Sequence, residues 1–349
     1  MKAIVIHEYG GPDVLRYEDV PDPVPGPAEI VVKVHAVSIQ RLLDVDMRRG
    51  NQTQRGIVLP LVPGVDPSGV VAAIGPKVPD FKIGDRVAIS HHVACGTCEA
   101  CRADDPARCA RHRMLGIHRW GGAADYVRVP YPSAFPIPEG LSFVDATVIS
   151  RHAATAYNLL VHIGQLKAGE TVVVMGASGN LGSIGIQIAK NLIGATVIAV
   201  AGSAARAQVG LDLGADFAID HASQDIAVEI MRITGGKGAD LLYDNIANPV
   251  TLPKALLGLK KGGRMVTAGA HGGPVVSIDF FHVYDRGLTI KGSSGFRKED
   301  YGPCFRAAAQ GKIRARHERI LPLSQAAAAH RLVESDPGTG KIILDPTLG

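Results

Sequence analysis

The chain has 349 residues, of which 46% are hydrophobic and 20% charged, with 41 glycines and 22 prolines. This length suits two domains, and this composition argues against disorder and favours many short elements joined by turns. The formal net charge is +4, from 37 basic and 33 acidic residues spread along the chain. Because no basic run is present, we expect no nucleic-acid partner.

The sequence lacks the features of a secreted or membrane protein. No apolar run approaches the length of a membrane span, and the first residues, MKAIVIHEYGG, lack the apolar segment and cleavage site of a secretory signal. Four of the five cysteines lie between Cys95 and Cys109, which in such a chain indicates metal binding rather than disulfides. We therefore expect a cytoplasmic protein without a membrane partner.

The first part of the chain is rich in predicted strands. From Met1 to about Ser150, glycine and proline separate short apolar runs, which read AIVIHEYG, EIVVKVHAVSI, GVVAAIG, DRVAIS and DYVRVP. This pattern predicts a small barrel-like β domain over residues 1–150. Residues 286–349 return to mixed strands and an alanine-rich helix, and we expect them to complete this domain.

After Arg151 the pattern changes to strands that alternate with segments of helical length. The strands read TVVVM, TVIAV, FAI, DLLYD and RMVTAG. The alternation predicts an α/β domain with a doubly wound parallel sheet over residues 151–285. In the first helix, Ile184, Ile188 and Leu192 share one face and are expected to lie in the core.

A glycine-rich loop follows the strand TVVVM and precedes a helix. Glycine allows a tight turn and close approach of the backbone to phosphate, and the helix N-terminus offers free N–H groups. The placement predicts a dinucleotide-binding loop. Its residues are Gly176, Ala177, Ser178, Gly179, Asn180, Leu181 and Gly182.

The second strand of this domain indicates which nicotinamide cofactor binds. TVIAV is followed by Ala201, Gly202 and Ser203, without the acidic residue that NAD enzymes commonly place there. Ser203 and Arg206 can instead hold a 2′-phosphate by charge-assisted hydrogen bonds. The sequence therefore favours NADPH over NADH, with the alternative that Arg206 is a solvated helix residue.

Four closely spaced cysteines predict a metal site. Cys95, Cys98, Cys101 and Cys109 can enclose one Zn²⁺ per subunit in an all-sulfur tetrahedron, which leaves no open position for chemistry and makes the zinc structural. An iron–sulfur cluster and four packed free thiols are the alternatives. Cys304, isolated in the sequence, is expected to be buried as an apolar residue.

Together, the cysteine lobe, the glycine-rich loop, Gly84-Asp85-Arg86-Val87 and Gly340-Lys341-Ile342 resemble the medium-chain dehydrogenase/reductase family over essentially the whole chain. The sequence is similar both to zinc alcohol dehydrogenases and to quinone and enone reductases. The resemblance implies a GroES-like β-barrel catalytic domain beside a Rossmann cofactor domain, and Lys341 as a cofactor contact. By analogy it also implies a homodimer or homotetramer, with a strand within residues 287–294 at the subunit contact.

The ligands of a catalytic zinc are missing from this resemblance. Zinc-using members supply a Cys shortly before an Asp, a His in a Gly-His-Glu triplet, and a second Cys before the cofactor domain. Alignment on Asp44-x-x-x-Arg48-x-Gly50 puts Arg41, or Gln40 if a residue is inserted, at the first position.

The other two ligand positions are altered as well. The triplet reads Gly64-Val65-Asp66, and the last position falls near Arg151. Because guanidinium groups repel a divalent cation, we expect no catalytic zinc. A relocated site with Asp66 is the alternative, and its candidate ligands are His91, His92, His118 and His152.

Without zinc, another group must stabilise the negative charge that develops on a hydride acceptor. Arg41 and Arg151 are the candidates for polarising or anchoring a carbonyl or carboxylate, with Asp44 and Asp66 as orienting counter-ions. Alternatively, these four residues form internal ion pairs that only fill the space of a metal site. His152 or water is the candidate proton donor.

Three functions follow from this pattern. The first is NADPH-dependent reduction of activated C=C bonds, quinones or carbonyls of small molecules. The second is alcohol and aldehyde interconversion, which the missing Lewis acid disfavours. The third is a non-catalytic NADPH-binding protein. The substrate stays open, because the loops that shape its pocket, such as Met47 to Pro60 and His112 to Trp120, have no predictable path.

Overall fold

The computed structural model describes residues 1–103, 106–273, 275–293, 295–335 and 340–348. The chain forms two compact units. The first unit contains Met1–Arg151, Tyr301–Ala309 and Ala315–Gly349, and the second contains His152–Asp300 and Gln310–Arg314. In the described ranges, no helix is both long and apolar enough to cross a membrane.

The amino-terminal part of the first unit consists mainly of strands. They are β1 (Lys2–Ile6), β2 (Leu15–Asp19), β3 (Glu29–Ser38), β4 (Ser68–Ile74), β5 (Arg86–Ile89), β6 (His92–Val93), β7 (Arg113–Met114), β8 (Tyr126–Pro130) and β9 (Ala134–Pro136). The helices are α1 (Asp46–Arg48), α2 (Glu99–Arg102) and α3 (Phe143–Tyr157). The boundary between the units falls within α3.

The second unit has the α/β architecture that its sequence predicts. Its strands are β10 (Thr171–Met175), β11 (Thr196–Ala201), β12 (Phe217–Asp220), β13 (Ala239–Asp244), β14 (Leu259–Thr267) and β15 (Thr289–Gly292). Its helices are α4 (Asn180–Ile188), α5 (Ala204–Asp212), α6 (Ile226–Ile233), α7 (Thr251–Leu257) and α8 (Phe280–Asp285). All pairings are parallel, in the order β12-β11-β10-β13-β14-β15. This order is typical of dinucleotide-binding sheets, and it reverses between β10 and β13.

The helix after β10 packs as its apolar face predicts. Ile184 and Ile188 are 2% and 0% exposed, which confirms them as core residues. Leu192 lies beyond the end of α4 and is only half-buried.

The second unit extends further than the predicted boundary at residue 285, so that boundary is wrong. β15 pairs with β14 through residues 289–292 and therefore belongs to the parallel sheet of this unit. This stretch of the second unit ends at Asp300. A short return segment also belongs here, because the Arg314 N–H donates to Gln187 Oε1 at 2.7 Å. The boundary near residue 150 lies where the sequence places it.

The carboxyl-terminal part completes the first unit around β3. It contributes α9 (Tyr301–Ala309), β16 (His317–Pro322), α10 (Ala326–Ser335) and β17 (Lys341–Asp345). The main sheet runs β16-β17-β3-β4-β5-β9, and β8 also pairs with β3. Alternate residues of β3, Ile30, Val32 and Val34, pack in a core with residues of β4, β5 and β8. Because Ser38 pairs with Ile343 and Ala36 with Ser68, the end of β3 lies beside the starts of β4 and β17.

Candidate functional site

The end of β3 gathers a buried cluster of polar side chains, all in the first unit. Asp66 precedes β4 and is 1% exposed. Its Oδ1 accepts the Ser38 N–H at 3.0 Å, and its Oδ2 accepts the Ser38 hydroxyl at 2.6 Å and the Gln40 side-chain amide at 2.5 Å. Burial raises the pKa of Asp66, and the charge of Lys341 works against that rise. Both carboxylate oxygens of Asp66 are therefore occupied by donors of the chain itself.

Gln40 joins this carboxylate to a buried lysine. The ammonium of Lys341, which begins β17 and is 5% exposed, donates to Gln40 Oε1. Burial lowers the pKa of Lys341 to about 8, although Asp66 favours the charged form. The sequence resemblance implied that Lys341 contacts the cofactor. The structure places it in this cluster, and a cofactor role remains a prediction.

Asp44 supports the turn that carries Gln40. Its Oδ2 accepts the Gln40 N–H at 2.7 Å and its Oδ1 accepts the Gly64 N–H at 2.9 Å. Burial raises the pKa of Asp44 to about 7, and the neighbouring Asp66 adds to the rise. Asp44 therefore joins two segments of backbone, and its role as a counter-ion of a guanidinium remains a prediction.

The structure places Arg41 outside this buried cluster, and its role in catalysis remains a prediction. Its side chain is exposed and its guanidinium donates to the carbonyl oxygen of Val333. Gln40 has an extended backbone, with φ −102° and ψ 120°, and a wide π-type turn begins at the next residue. Successive residues therefore point to opposite sides, and Gln40 enters the cluster in place of Arg41.

Arg151 lies near the cluster without being bonded to it. Burial lowers the pKa of its guanidinium, against the attraction of Asp66, Tyr301 and Asp44. Its Nε is buried without a hydrogen-bond acceptor. His152, the next residue, belongs to the second unit, and its role as proton donor remains a prediction.

The histidines of a relocated metal site have other surroundings. His118 accepts the Met114 N–H at 2.9 Å through Nδ1, and its Nε2 lies 2.8 Å from the Arg55 carbonyl oxygen. His92 stacks on His112 with ring centroids 4.9 Å apart. In the part of the chain that the structure describes, no group of three or more close potential ligands includes these histidines or Asp66.

The predicted cysteine lobe is assembled. The four sulfur atoms of Cys95, Cys98, Cys101 and Cys109 lie within 4.8 Å of one another. Measured pairs are 3.4 Å (Cys98 to Cys101), 3.8 Å (Cys98 to Cys109) and 3.9 Å (Cys95 to Cys101). A tetrahedral zinc with sulfur at roughly 2.3 Å requires sulfur pairs about 3.8 Å apart. The geometry thus fits a zinc ion, whereas Cys304 is 1% exposed and buried as predicted.

In the second unit, the predicted dinucleotide loop lies at the carboxyl end of β10. Gly176 has φ +65°, and a Cβ there would meet Ile246 Cδ1 at 2.6 Å. A Cβ on Gly182 would lie 2.3 Å from the Gly176 carbonyl oxygen. Both positions therefore require glycine, and Gly179 is the residue that precedes α4. The loop thus stands beside the point where the strand order reverses, where such sheets bind dinucleotides.

The end of β11 carries the residues that were predicted to recognise a 2′-phosphate. Ser203 caps α5 by accepting the Arg206 N–H at 3.4 Å, and the Arg206 side chain is exposed. Sequence analysis missed His221, which follows β12. Its Nε2 lies 3.2 Å from the position of a Cβ on Gly202. Parallel pairing of β11 and β12 brings these segments together, which no local sequence signal could show.

Comparison with known proteins agrees with both units. A model described as "Alcohol dehydrogenase GroES-like domain" matches residues 26–139, and one described as "Zinc-binding dehydrogenase" matches residues 180–310. The chain is 30% identical to an NAD-dependent alcohol dehydrogenase of Sulfolobus acidocaldarius, over 99% of this chain and 100% of that protein. It is 29% identical to the human quinone oxidoreductase, over 99% and 97%.

Solved structures give the same result. A crystal structure of an NAD-dependent alcohol dehydrogenase superposes with a TM-score of 0.90 at 38% identity, covering 99% of each chain. A mycobacterial quinone oxidoreductase superposes with a TM-score of 0.84 at 26% identity, over 99% of this chain and 100% of that one. The similarity therefore extends to both alcohol dehydrogenases and quinone oxidoreductases.

Proposed function

Because this chain belongs to the medium-chain dehydrogenase/reductase family, we propose that it reduces an activated C=C bond or a quinone with NADPH, without a catalytic zinc. Membership of this family makes it a dehydrogenase/reductase enzyme with a nicotinamide cofactor. NADPH, when bound, supplies a hydride from C4 of its nicotinamide ring. The protein must hold the cofactor, orient the hydride acceptor and stabilise the negative charge that develops on that acceptor.

The contact between Gln40 and Lys341 carries the zinc-free part of the proposal. A zinc ion needs deprotonated thiolate, imidazole or carboxylate ligands. Here the first ligand position holds a carboxamide, which is bonded to an ammonium group and to Asp66. Asp66 is already saturated by Ser38 and Gln40, and Arg151 lies in the same electrostatic field. The donor set does not fit a dication.

An activated C=C bond or a quinone suits such a site. Hydride adds to a conjugated carbon, the negative charge moves to the carbonyl oxygen, and a proton completes the reduction. Hydrogen-bond donors can stabilise that oxygen, whereas direct reduction of an isolated carbonyl gains more from a Lewis acid. Arg151 is the candidate for anchoring the acceptor, and His152 or water is the candidate source of the proton.

The choice of NADPH is supported by the end of β11. No carboxylate side chain follows the strand at Gly202 or Ser203, where one would bind the ribose hydroxyls of NADH. The hydroxyl of Ser203, the exposed guanidinium of Arg206 and the imidazole of His221 are three groups suited to a 2′-phosphate.

We propose one structural zinc per subunit in the cysteine lobe. The fit of the sulfur distances supports zinc over packed thiols. The described cysteines are free of disulfides, which suits a reducing compartment, and on that ground we place the protein in the cytoplasm.

We also propose that two copies associate through the outer edge of the parallel sheet. β15 ends the sheet, and all four of its residues are exposed. The adjacent α8 presents Phe280, Phe281 and Tyr284 at 75%, 64% and 70% exposure. An open strand edge beside exposed aromatic rings is a surface that a second copy of the same strand can cover.

Steady-state assays with NADPH against quinones, enones and aldehydes, and of alcohol oxidation with NADP⁺, test the proposal. We expect turnover of enones or quinones that survives treatment with a chelator. Oxidation of alcohols alone would favour an alcohol dehydrogenase. Tight NADPH binding without turnover of any acceptor would indicate a non-catalytic cofactor-binding protein.

A further inference from the structure

The polar side chains of the buried cluster at the end of β3 are hydrogen-bonded to one another or to the backbone, whereas the neighbouring Arg151 is not. Both oxygens of Asp66 and both oxygens of Asp44 accept donors from the chain. The Gln40 side chain uses its amide and its carbonyl, and the Lys341 ammonium has Gln40 as its acceptor. Each of these groups thus has at least one hydrogen-bond partner within the chain.

Arg151 differs from the side chains of the cluster in its hydrogen bonding. Among the described residues, the guanidinium of Arg151 makes no hydrogen bond and no ion pair, and its Nε is buried without an acceptor. Its side chain is only partly exposed to solvent. A buried donor without a partner is costly, and a guanidinium carries five donors in a fork that matches a carboxylate. A carboxylate supplied by a ligand would satisfy these donors.

The charges around Arg151 favour an anion as that ligand. Arg151 and Lys341 are two cations, and the presence of Arg151 lowers the pKa of Lys341. Opposite them stand Asp66, whose oxygens are fully hydrogen-bonded, and Asp44, whose pKa is raised to about 7. Near and below neutral pH the cluster thus carries more positive than negative charge, which attracts an oxyanion.

We infer that Arg151 binds the carboxylate of the substrate, so that the enzyme acts on unsaturated carbonyl compounds that carry an acid group. This inference rests on the proposed reduction of activated C=C bonds and names its substrate class. A bidentate pair between guanidinium and carboxylate fixes both the distance and the orientation of a small acceptor. Arg151 is then the residue that determines specificity for acids over their neutral analogues.

A guanidinium can also bind a phosphate group of the cofactor. The following experiment distinguishes a substrate carboxylate from a cofactor phosphate as the anion that Arg151 binds. The probes are trans-3-benzoylacrylate and its methyl ester, which share the enone and differ in the acid group. We expect the wild type to have a kcat/KM for the acid at least tenfold above that for the ester. In Arg151→Gln, the ratio of the two kcat/KM values should fall at least tenfold, to about one, mainly through KM, with the dissociation constant of NADPH unchanged.

Two further variants control this result. Arg151→Lys keeps the charge and should retain part of the preference for the acid, and Arg16→Gln removes an exposed arginine of the same unit and should leave the ratio unchanged. Equal loss for acid and ester, weaker NADPH binding in Arg151→Gln, or a wild type without preference for the acid would each overturn the inference.

A binding measurement keeps the inference testable if neither probe is reduced. Titration of the NADP⁺-loaded wild type with 3-benzoylpropionate, the saturated analogue, should show binding that Arg151→Gln lacks and Arg16→Gln retains. Failure of turnover with this binding intact would reject the proposed reaction and leave the carboxylate site. Absence of binding in the wild type would reject the site itself.

Discussion

The ammonium group of Lys341 donates a hydrogen bond to the side-chain oxygen of Gln40, and the amide of Gln40 donates in turn to Asp66 at 2.5 Å. Lys341 of the last strand is thus joined through the Gln40 side chain to the buried carboxylate of Asp66. Gln40 occupies the position at which zinc-using members of the family carry a cysteine ligand. This chain of contacts links the two ends of the first unit and supplies the buried carboxylate of Asp66 with a hydrogen-bond donor.

Removal of the linking carboxamide should destabilise the protein. In Gln40→Leu, Lys341 loses its acceptor and Asp66 loses one donor, so two buried charges become poorly paired. We expect the free energy of unfolding to fall by about 3 kcal/mol, measured by urea denaturation. Gln54→Leu changes an exposed residue of the same unit and should have little effect. Equal stability of both variants would show that the contact is unimportant.

Asp44 should make stability depend on pH. Its folded-state pKa of about 7 lies above the unfolded value near 4, so the folded state retains a proton that the unfolded state releases. This contribution is fully present below about pH 4 and is lost as the pH rises through about 7, with a slope of at most about 1.4 kcal/mol per pH unit.

Substitution of this carboxyl isolates its effect. We expect the slope of unfolding free energy between pH 5 and 7 to be shallower in Asp44→Asn than in the wild type, although Asn lowers stability overall because it offers one acceptor to two N–H donors. Asp80→Asn, at an exposed position, should keep the wild-type slope. The same slope in Asp44→Asn as in the wild type would refute the assignment.

Cofactor preference should depend on the residues after β11 and β12. Arg206→Gln and His221→Ala each remove a donor for the 2′-phosphate, so we expect the dissociation constant of NADPH to rise about tenfold in each. The constant for NADH should not change, since that cofactor lacks the phosphate. Fluorescence titration measures both, with Arg232→Gln as the control in the same unit. Parallel changes for the two cofactors would contradict this role.

The exposed face of α8 and β15 should determine the oligomeric state. In Phe281→Lys with Tyr284→Lys, charges replace two exposed aromatic rings, and we expect a dimer to dissociate to monomers in size-exclusion chromatography with light scattering. Val228→Lys, at an exposed position on α6, should remain dimeric. A wild type that is monomeric at micromolar concentration would exclude this interface.

Features that depend on local sequence could be predicted, and features that depend on distant pairing could not. The loop from Gly176 to Gly182 follows from a strand, a turn and a helix in succession, and the cysteine lobe follows from short spacings. Lys341 reaches Gln40 only because β17 pairs with β3, and His221 reaches Gly202 only because β12 pairs with β11. Neither contact leaves a signal in the sequence.

The choice between Arg41 and Gln40 shows a second limit. Motif alignment left both residues possible, because it fixes position only to within one residue. The extended backbone of Gln40 and the wide turn that follows decide which side chain faces inward. Backbone geometry of this kind has no signature in residue types, so sequence reasoning could propose an altered ligand position without identifying its occupant.

The metal content of the active enzyme tests the central claim most directly. Purified protein is dialysed against a chelator, and zinc per chain is measured by elemental analysis alongside NADPH-dependent turnover. We predict one zinc per chain that withstands dialysis and is absent from Cys109→Ser, with turnover of the wild type unchanged by the chelator. Two zinc ions per chain, one of them removed together with turnover, would contradict the account.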